Sequence, residues 1–369
     1  MERYREATTE LLRGFPPLRV SLLKVSKLTM DLFELTRALV DIESISGHEG
    51  PVGDFLYAHL SALAAAYGGH IERMDVEPGR FNVLACWGEP RVTLSTHMDT
   101  VPPFFASSED AEFVHGRGSC DAKGIIAAMI AAAERLLAAG TRDFAMLFVV
   151  GEERNSAGAF AAARNPRGSR FLINGEPTEN CLVLGAKGAL RFQIVAHGRM
   201  AHSAYPEMGH SAIDSLLDAL AAIRQILLPQ DPLLGSATLN IGMISGGRAP
   251  NVVADHAQAE IMFRIVGDPE PLRAAVAEAV KDRAEVTEVI CIPALRLSKI
   301  DGFDTSVVSF ATDIPAFGTS WGTPVLIGPG SIHMAHTSEE RVPKRALSDA
   351  VDLYERLVKR LLTNGAGTA

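Results

Sequence analysis

Four apolar runs in the chain end abruptly in side chains that bind divalent metals. VTLST (92–96) runs into His97, Met98 and Asp99, and MLFVVG (146–151) runs into the adjacent acids Glu152 and Glu153. FLING (171–175) runs into Glu176, and VLIGPG (325–330) leads through a short loop to His336. In open α/β sheets, ligands bind beyond the carboxyl ends of the strands. If these runs are parallel neighbours, the acids and histidines converge in one crevice. Asp121, in GRGSCDAKG just ahead of a helical pattern, joins them. A single His-x-Asp occurs by chance, and an adjacent Glu pair is ordinary on a helix surface. The informative feature is the set: two histidines with four or five carboxylates and no thiolate. That donor set suits zinc first, with cobalt or manganese as alternatives, and buried carboxylates are costly unless paired, protonated or metal-bound.

Two ions in one site need a bridging carboxylate and a histidine for each ion. Asp121 can bridge, His97 and Glu176 can hold one ion, and Glu153 with His336 the other. Asp99, two residues beyond His97, can orient that imidazole. Glu152 is then left over beside the metals, which is the position of a general base. Neighbouring residues at a strand end point to opposite faces, and nearby dications offset the repulsion between adjacent acids.

These residues need a scaffold. Strand and helix patterns alternate from Met30 to about Gly188, as in a mostly parallel sheet flanked by helices. FNVLACW (81–87) and RVTLSTHMD (91–99) read as strands, and residues 124–140 as a helix stopped by glycine. DFAMLFVV and SRFLING read as short buried strands with a helical piece between them. Residues 189–297 follow a β-α-β-β-α-β order, expected to form an inserted ferredoxin-like α/β unit. That leaves 30–188 with 298–362 as the metal-binding domain, including a buried strand at 323–331 and a closing helix. Asp31 is a candidate N-cap for the first helix. Met30 is a candidate natural start, with residues 1–29 an upstream extension that lacks the apolar core of a secretory signal.

At 369 residues, 47% hydrophobic and 21% charged, the chain is long enough for two domains and too apolar for disorder. Its net charge of −9, with no basic stripe, argues against nucleic acid. No apolar run approaches the ~20 residues that span a bilayer. Cys86, Cys120, Cys181 and Cys291 are scattered, which reads as free thiols in a reducing cytoplasm. His115, His197 and His210 read as surface or packing residues, and Cys120 as packing.

The pieces STHMDTVPP, GRGSCDAKG, GEERNSAGA, INGEPTE, AKGALRF, GRMAHSAYPEMGHSAI and GPGSIHMAHTSEE run in one order along the chain. In that order the chain resembles the dinuclear zinc amidohydrolases that include acetylornithine deacetylase, succinyl-diaminopimelate desuccinylase, aminoacylase and glutamate carboxypeptidase. GRGSCDAKG with the GEPT motif leans towards acetylornithine deacetylase. The resemblance implies a zinc-exopeptidase-like fold with an inserted lid and dimerisation domain. It implies two bound ions, the ligand set above, and Glu152 as base towards a hydroxide formed between the metals. It adds three residues. His202 would serve the active site of the other subunit of a homodimer and stabilise the oxyanion. Asn251 and Arg264 would contact the substrate, the arginine on its carboxylate. Of His333 and His336, it makes only His336 a ligand. Ser211 stands where many relatives have Asn, which touches a helix-cap contact and not the chemistry. The implied activity is deacylation of an N-acyl amino acid such as an acetylated ornithine or lysine. The alternative is a dipeptidase or carboxypeptidase with the same site, and a non-catalytic binding protein is disfavoured because every ligand is present.

Overall fold

The run Phe-Ala-Met-Leu-Phe-Val forms the strand Phe144–Val149, and every residue in it is buried. Phe144, Met146 and Phe148 join one hydrophobic cluster, while Ala145, Leu147 and Val149 join another. A strand that alternates between two apolar clusters must be covered by helices on both faces. The computed structural model describes residues 30–364, so the expectation about residues 1–29 lies outside the described residues.

In chain order the main elements begin with helices α1 (Leu32–Val40) and α2 (Gly50–Tyr67) and strands β1 (His70–Glu77), β2 (Arg80–Trp87) and β3 (Val92–His97). Next come α3 (Lys123–Ala138), β4 (Phe144–Val149), α4 (Ala157–Ala163) and β5 (Phe171–Asn174). A second unit follows, with β6 (Gly188–His197), α5 (Ala212–Ile223), β7 (Thr238–Gly246), β8 (His256–Ile265), α6 (Glu270–Val280) and β9 (Glu285–Ile292). The chain then returns with β10 (Thr323–Leu326) and α7 (Lys344–Asn364).

The large sheet has the order β1-β2-β4-β3-β5-β10. β4, β3, β5 and β10 are parallel neighbours, and β1 and β2 add an antiparallel edge. One face packs on α1, α2, α3 and α7 through Leu39, Leu56, Ile126, Met129 and Leu357. The other packs on Ala159, Ala162, Phe317 and Trp321, with the Trp321 indole donating to the Ala162 carbonyl at 2.9 Å. α1 opens on the capping box that its sequence suggests: Asp31 accepts from the Phe33 and Glu34 amides, and Glu34 accepts from the Asp31 amide.

The second unit is a four-stranded antiparallel sheet of order β7-β8-β6-β9, with α5 and α6 on one face. Along β8, Ala257, Ala259, Ile261, Phe263 and Ile265 are buried against those helices, which turns Gln258, Glu260, Met262 and Arg264 to the opposite, half-exposed face. Ser211 keeps the cap of α5 by accepting from the Asp214 amide. On its return the chain pairs Leu295–Arg296 with the strand Leu182–Ala186, a few residues earlier than 298.

Three features depart from the sequence reading. β1 is a strand although it carries His70, Glu72, Arg73, Asp75 and Glu77, because it lies at the sheet edge where side chains reach water. Leu182–Ala186 is also a strand, in a separate three-stranded sheet. The strand expected over 323–331 stops at Leu326, where its only partner in the large sheet, β5, ends at Asn174.

Gly158 sits where α4 meets the end of β4. Its amide donates to the Val150 carbonyl at 2.8 Å, and its carbonyl accepts from Asn82 Nδ2 at 2.8 Å. A Cβ there would lie 2.5 Å from both the Val150 nitrogen and Asn82 Oδ1. Gly158→Ala is therefore expected to destabilise the fold by about 1–3 kcal/mol. Denaturant titration measures this, and an unchanged midpoint would contradict the close approach.

Candidate metal centre

The register of the parallel strands sets His97 beside Val149, Ser95 beside both Leu147 and Asn174, and Leu326 beside Asn174. The four segments that follow thus leave the sheet along one edge. Asp121, two residues ahead of α3 and followed by a cis peptide to Ala122, meets them there. His97 Nε2 is 3.0 Å from Asp121 Oδ1. His336 Nε2 is 2.9 Å from Glu153 Oε1 and 3.5 Å from Asp121 Oδ2. Asp121 therefore presents one oxygen to each histidine, which is the disposition a bridging carboxylate needs. Candidate ligand atoms of His97, Asp121 and Glu153 lie within 4.8 Å of one another. Glu176 is 3% exposed, and its Oε1 has no hydrogen-bond partner. Glu152 keeps partial exposure beside this cluster.

Asp99 does more than the spacing from His97 suggests. Its backbone carbonyl, 3.0 Å from His97 Nδ1, orients the imidazole, while its carboxylate is 3.5 Å from the same nitrogen. That carboxylate accepts from three successive amides: Gly151 at 2.9 Å, Glu152 at 3.1 Å and Glu153 at 3.2 Å. Ser46 donates to it at 2.6 Å. The turn that carries both acids is wrapped around Asp99.

His202 and Asn251 are not brought to this cluster within the chain. Both are exposed on the second unit, where the Ser203 amide donates to the Asn251 carbonyl and the Ala204 amide to His202 Nδ1. Arg264 lines a cavity of about 490 Å³ with Pro177 and Thr178, the residues directly after Glu176. His333 lines the same cavity. His115 pairs with Asp110, His210 bonds Ser215, and the buried Cys120 thiol contacts the Ser331 carbonyl.

Sequence reading missed Asp313. It is 1% exposed with no well-formed hydrogen bond to either carboxylate oxygen, and its charge bears on Glu152 and Glu176. No apolar run points to it, since it starts the short helix Ile314–Phe317.

A profile of peptidase family M20/M25/M40 matches residues 93–360. The chain belongs to this family. A peptidase M20 domain-containing protein of Schizosaccharomyces pombe is 39% identical over 339 residues, covering 89% of this chain and 84% of that protein. A probable carboxypeptidase of Aspergillus terreus is 37% identical over 366 residues, covering 88% and 84%. Among solved structures, the aminopeptidase PepT of Bacillus cereus superposes with a TM-score of 0.74 at 20% identity, covering 90% of this chain and 98% of that one. This M20 peptidase is thus a hydrolase of amide bonds with a metallopeptidase fold.

Its centre is electrostatically unbalanced by itself. Burial pushes the Glu152 and Glu176 carboxyls well above the ordinary carboxylate range, helped at Glu152 by the charge of Glu176 and at Glu176 by those of Asp121, Asp313 and Glu153. Burial also raises Glu153, against the His336 hydrogen bond, and raises Asp313 to about 7. Burial disfavours the His97 cation, yet hydrogen bonds to Asp121 and Asp99 overcome it and raise His97 well above its ordinary value. Two imidazoles and three carboxylates, among them Glu176 with its unpartnered oxygen, fit a pair of divalent ions, which would supply the missing positive charge.

The sign of the pH dependence follows. An acid or histidine whose folded pKa is raised loses its stabilising contribution as pH rises. Metal-free protein should therefore lose stability as pH climbs above 4.5, the ordinary glutamate value, through the raised values of Glu152, Glu176 and His97. Zinc should remove that loss. Thermal melts at about pH 5 and about pH 8, with chelator or with zinc, measure it; chelated protein as stable at the higher pH as at the lower would contradict it.

Proposed function

We propose that this M20 peptidase hydrolyses the amide joining an acyl group to an amino acid with a free carboxylate, of the N-acetylornithine or N-acetyl-lysine type. The observation that carries this reading is Arg264. It is half-buried, has no carboxylate partner among the described residues, and burial alone shifts its pKa, downward. It lines a cavity with Pro177 and Thr178, which follow Glu176, and with Ser306, Ser309 and Phe310. A cation left unpaired there favours an anionic ligand, and guanidinium geometry suits a carboxylate held by two hydrogen bonds.

His97 and Glu176 would hold one divalent ion, His336 and Glu153 the other, and Asp121 both. Zinc ions bound there would act as Lewis acids on the amide carbonyl and acidify the attacking water. Glu152 removes the proton of that water and returns it to the departing amine nitrogen, which yields a free amino acid and a carboxylic acid. His202 donates to the developing oxyanion of a second copy in a homodimer, which agrees with its exposure on the inserted unit. Asn251, on the neighbouring loop, contacts the same substrate. Four unpaired cysteines favour a reducing cytoplasm. A second reading keeps the site and makes the acyl group a peptide; the naming of the Aspergillus terreus relative as a probable carboxypeptidase favours it.

Zinc-loaded protein assayed on N-acetylornithine, N-acetyl-lysine and dipeptides ending in the same residues separates the two. Release of acetate is expected, and cleavage of dipeptides alone would replace the first reading with the second. Glu152→Gln should retain both metals and lose roughly 10²- to 10⁴-fold in kcat. Near-wild-type turnover in that variant would remove Glu152 as the base.

A further inference from the structure

Four residues beyond His336 lies Glu340, which is 1% exposed and outside the ligand set. Its Oε1 accepts from three backbone amides of one turn: Gly118 at 2.9 Å, Cys120 at 3.2 Å and Asp121 at 3.1 Å. Its Oε2 accepts from Arg117 Nη1 at 2.6 Å, and its backbone carbonyl accepts from the Gly116 amide at 3.0 Å. Arg117 is itself 2% exposed, with Nε on the Pro103 carbonyl and its guanidinium 5.0 Å from the Phe105 ring centre. Backbone amides of one turn gathered around a carboxylate form a concave anion site. Here the anion is the protein's own side chain.

We propose that Glu340 is a positioning residue for the metal centre: it fixes the turn that carries Asp121 and locks that turn to the loop that carries His336. The proposal rests on the dinuclear reading of the site. Asp121 stands between the two histidines, so a small displacement of its backbone changes both halves of the centre together. A buried ion pair with Arg117 alone would need only Oε2. The three amides on Oε1, one of them the amide of Asp121 itself, are what tie Glu340 to the ligand.

Glu340→Gln keeps the size of the side chain, removes its charge and places an amide donor in a pocket built from donors. Folded E340Q, checked by near-ultraviolet circular dichroism, is expected to bind zinc about 10- to 100-fold more weakly than wild type. Competition against a chelator measures this. Its cobalt-substituted form is expected to show a shifted visible spectrum. Wild-type zinc affinity and an unchanged cobalt spectrum would overturn the proposal, even with a lowered melting temperature, because the ion pair would then be merely structural. If E340Q does not accumulate folded protein, Glu340→Asp carries the same expectation, since it keeps the charge but withdraws the carboxylate by one methylene. Wild-type affinity in folded E340D would likewise overturn it. Absence of zinc binding in the wild-type chain is a separate result: it would strike the dinuclear reading itself.

Discussion

Everything at this centre depends on holding like charges together until a metal can neutralise them. Glu152, Glu153, Glu176, Asp121 and Asp313 crowd one sheet edge, and burial first, then repulsion from neighbouring acids, raises the pKa values of the glutamates and Asp313. Side chains under such repulsion cannot fix their own positions, so the backbone must. Asp99 does this for the Gly151–Glu153 turn by accepting three successive amides. Asn82 adds a second tie by accepting from the Val150 amide and donating to the Gly158 carbonyl. Both devices hold backbone without using an oxygen of Asp121, Glu153 or Glu176. Oε1 of Glu176 is buried without a hydrogen-bond partner.

The sheet supplies the second constraint. Parallel pairing of β4, β3, β5 and β10 aligns their carboxyl ends, so residues distant in sequence arrive at one edge without any long-range search by the ligands themselves. At the end of β4 this resolves the adjacency of the two acids. Glu153 turns to His336 and Asp121, while Glu152 stays partly exposed beside Glu176. Two neighbouring carboxylates thereby take different surroundings.

This part of the fold was legible because each apolar run ended in a ligand type, and burial on both faces leaves a strand no other composition. Other parts were not. β1 carries five charged or titratable residues and is held by pairing with β2 rather than by its own pattern. The grip of Asp99 on residues 151–153 spans more than 50 positions, so proximity to His97 in sequence revealed only its lesser duty. Asp313 lies in an irregular segment where an acid looks solvated until the fold buries it. Arg264 entered only through family resemblance, although the alternation of β8 already turned it away from the helices.

The central claim is that five side chains from separate loops hold two ions, with Asp121 shared between them. Anomalous diffraction at the zinc edge from crystals of zinc-loaded protein tests it directly. Two peaks are expected, each within about 2.0–2.2 Å of one Asp121 oxygen, with His97 and Glu176 on one and Glu153 and His336 on the other. A single peak, or two peaks of which one has no contact with Asp121, would contradict it.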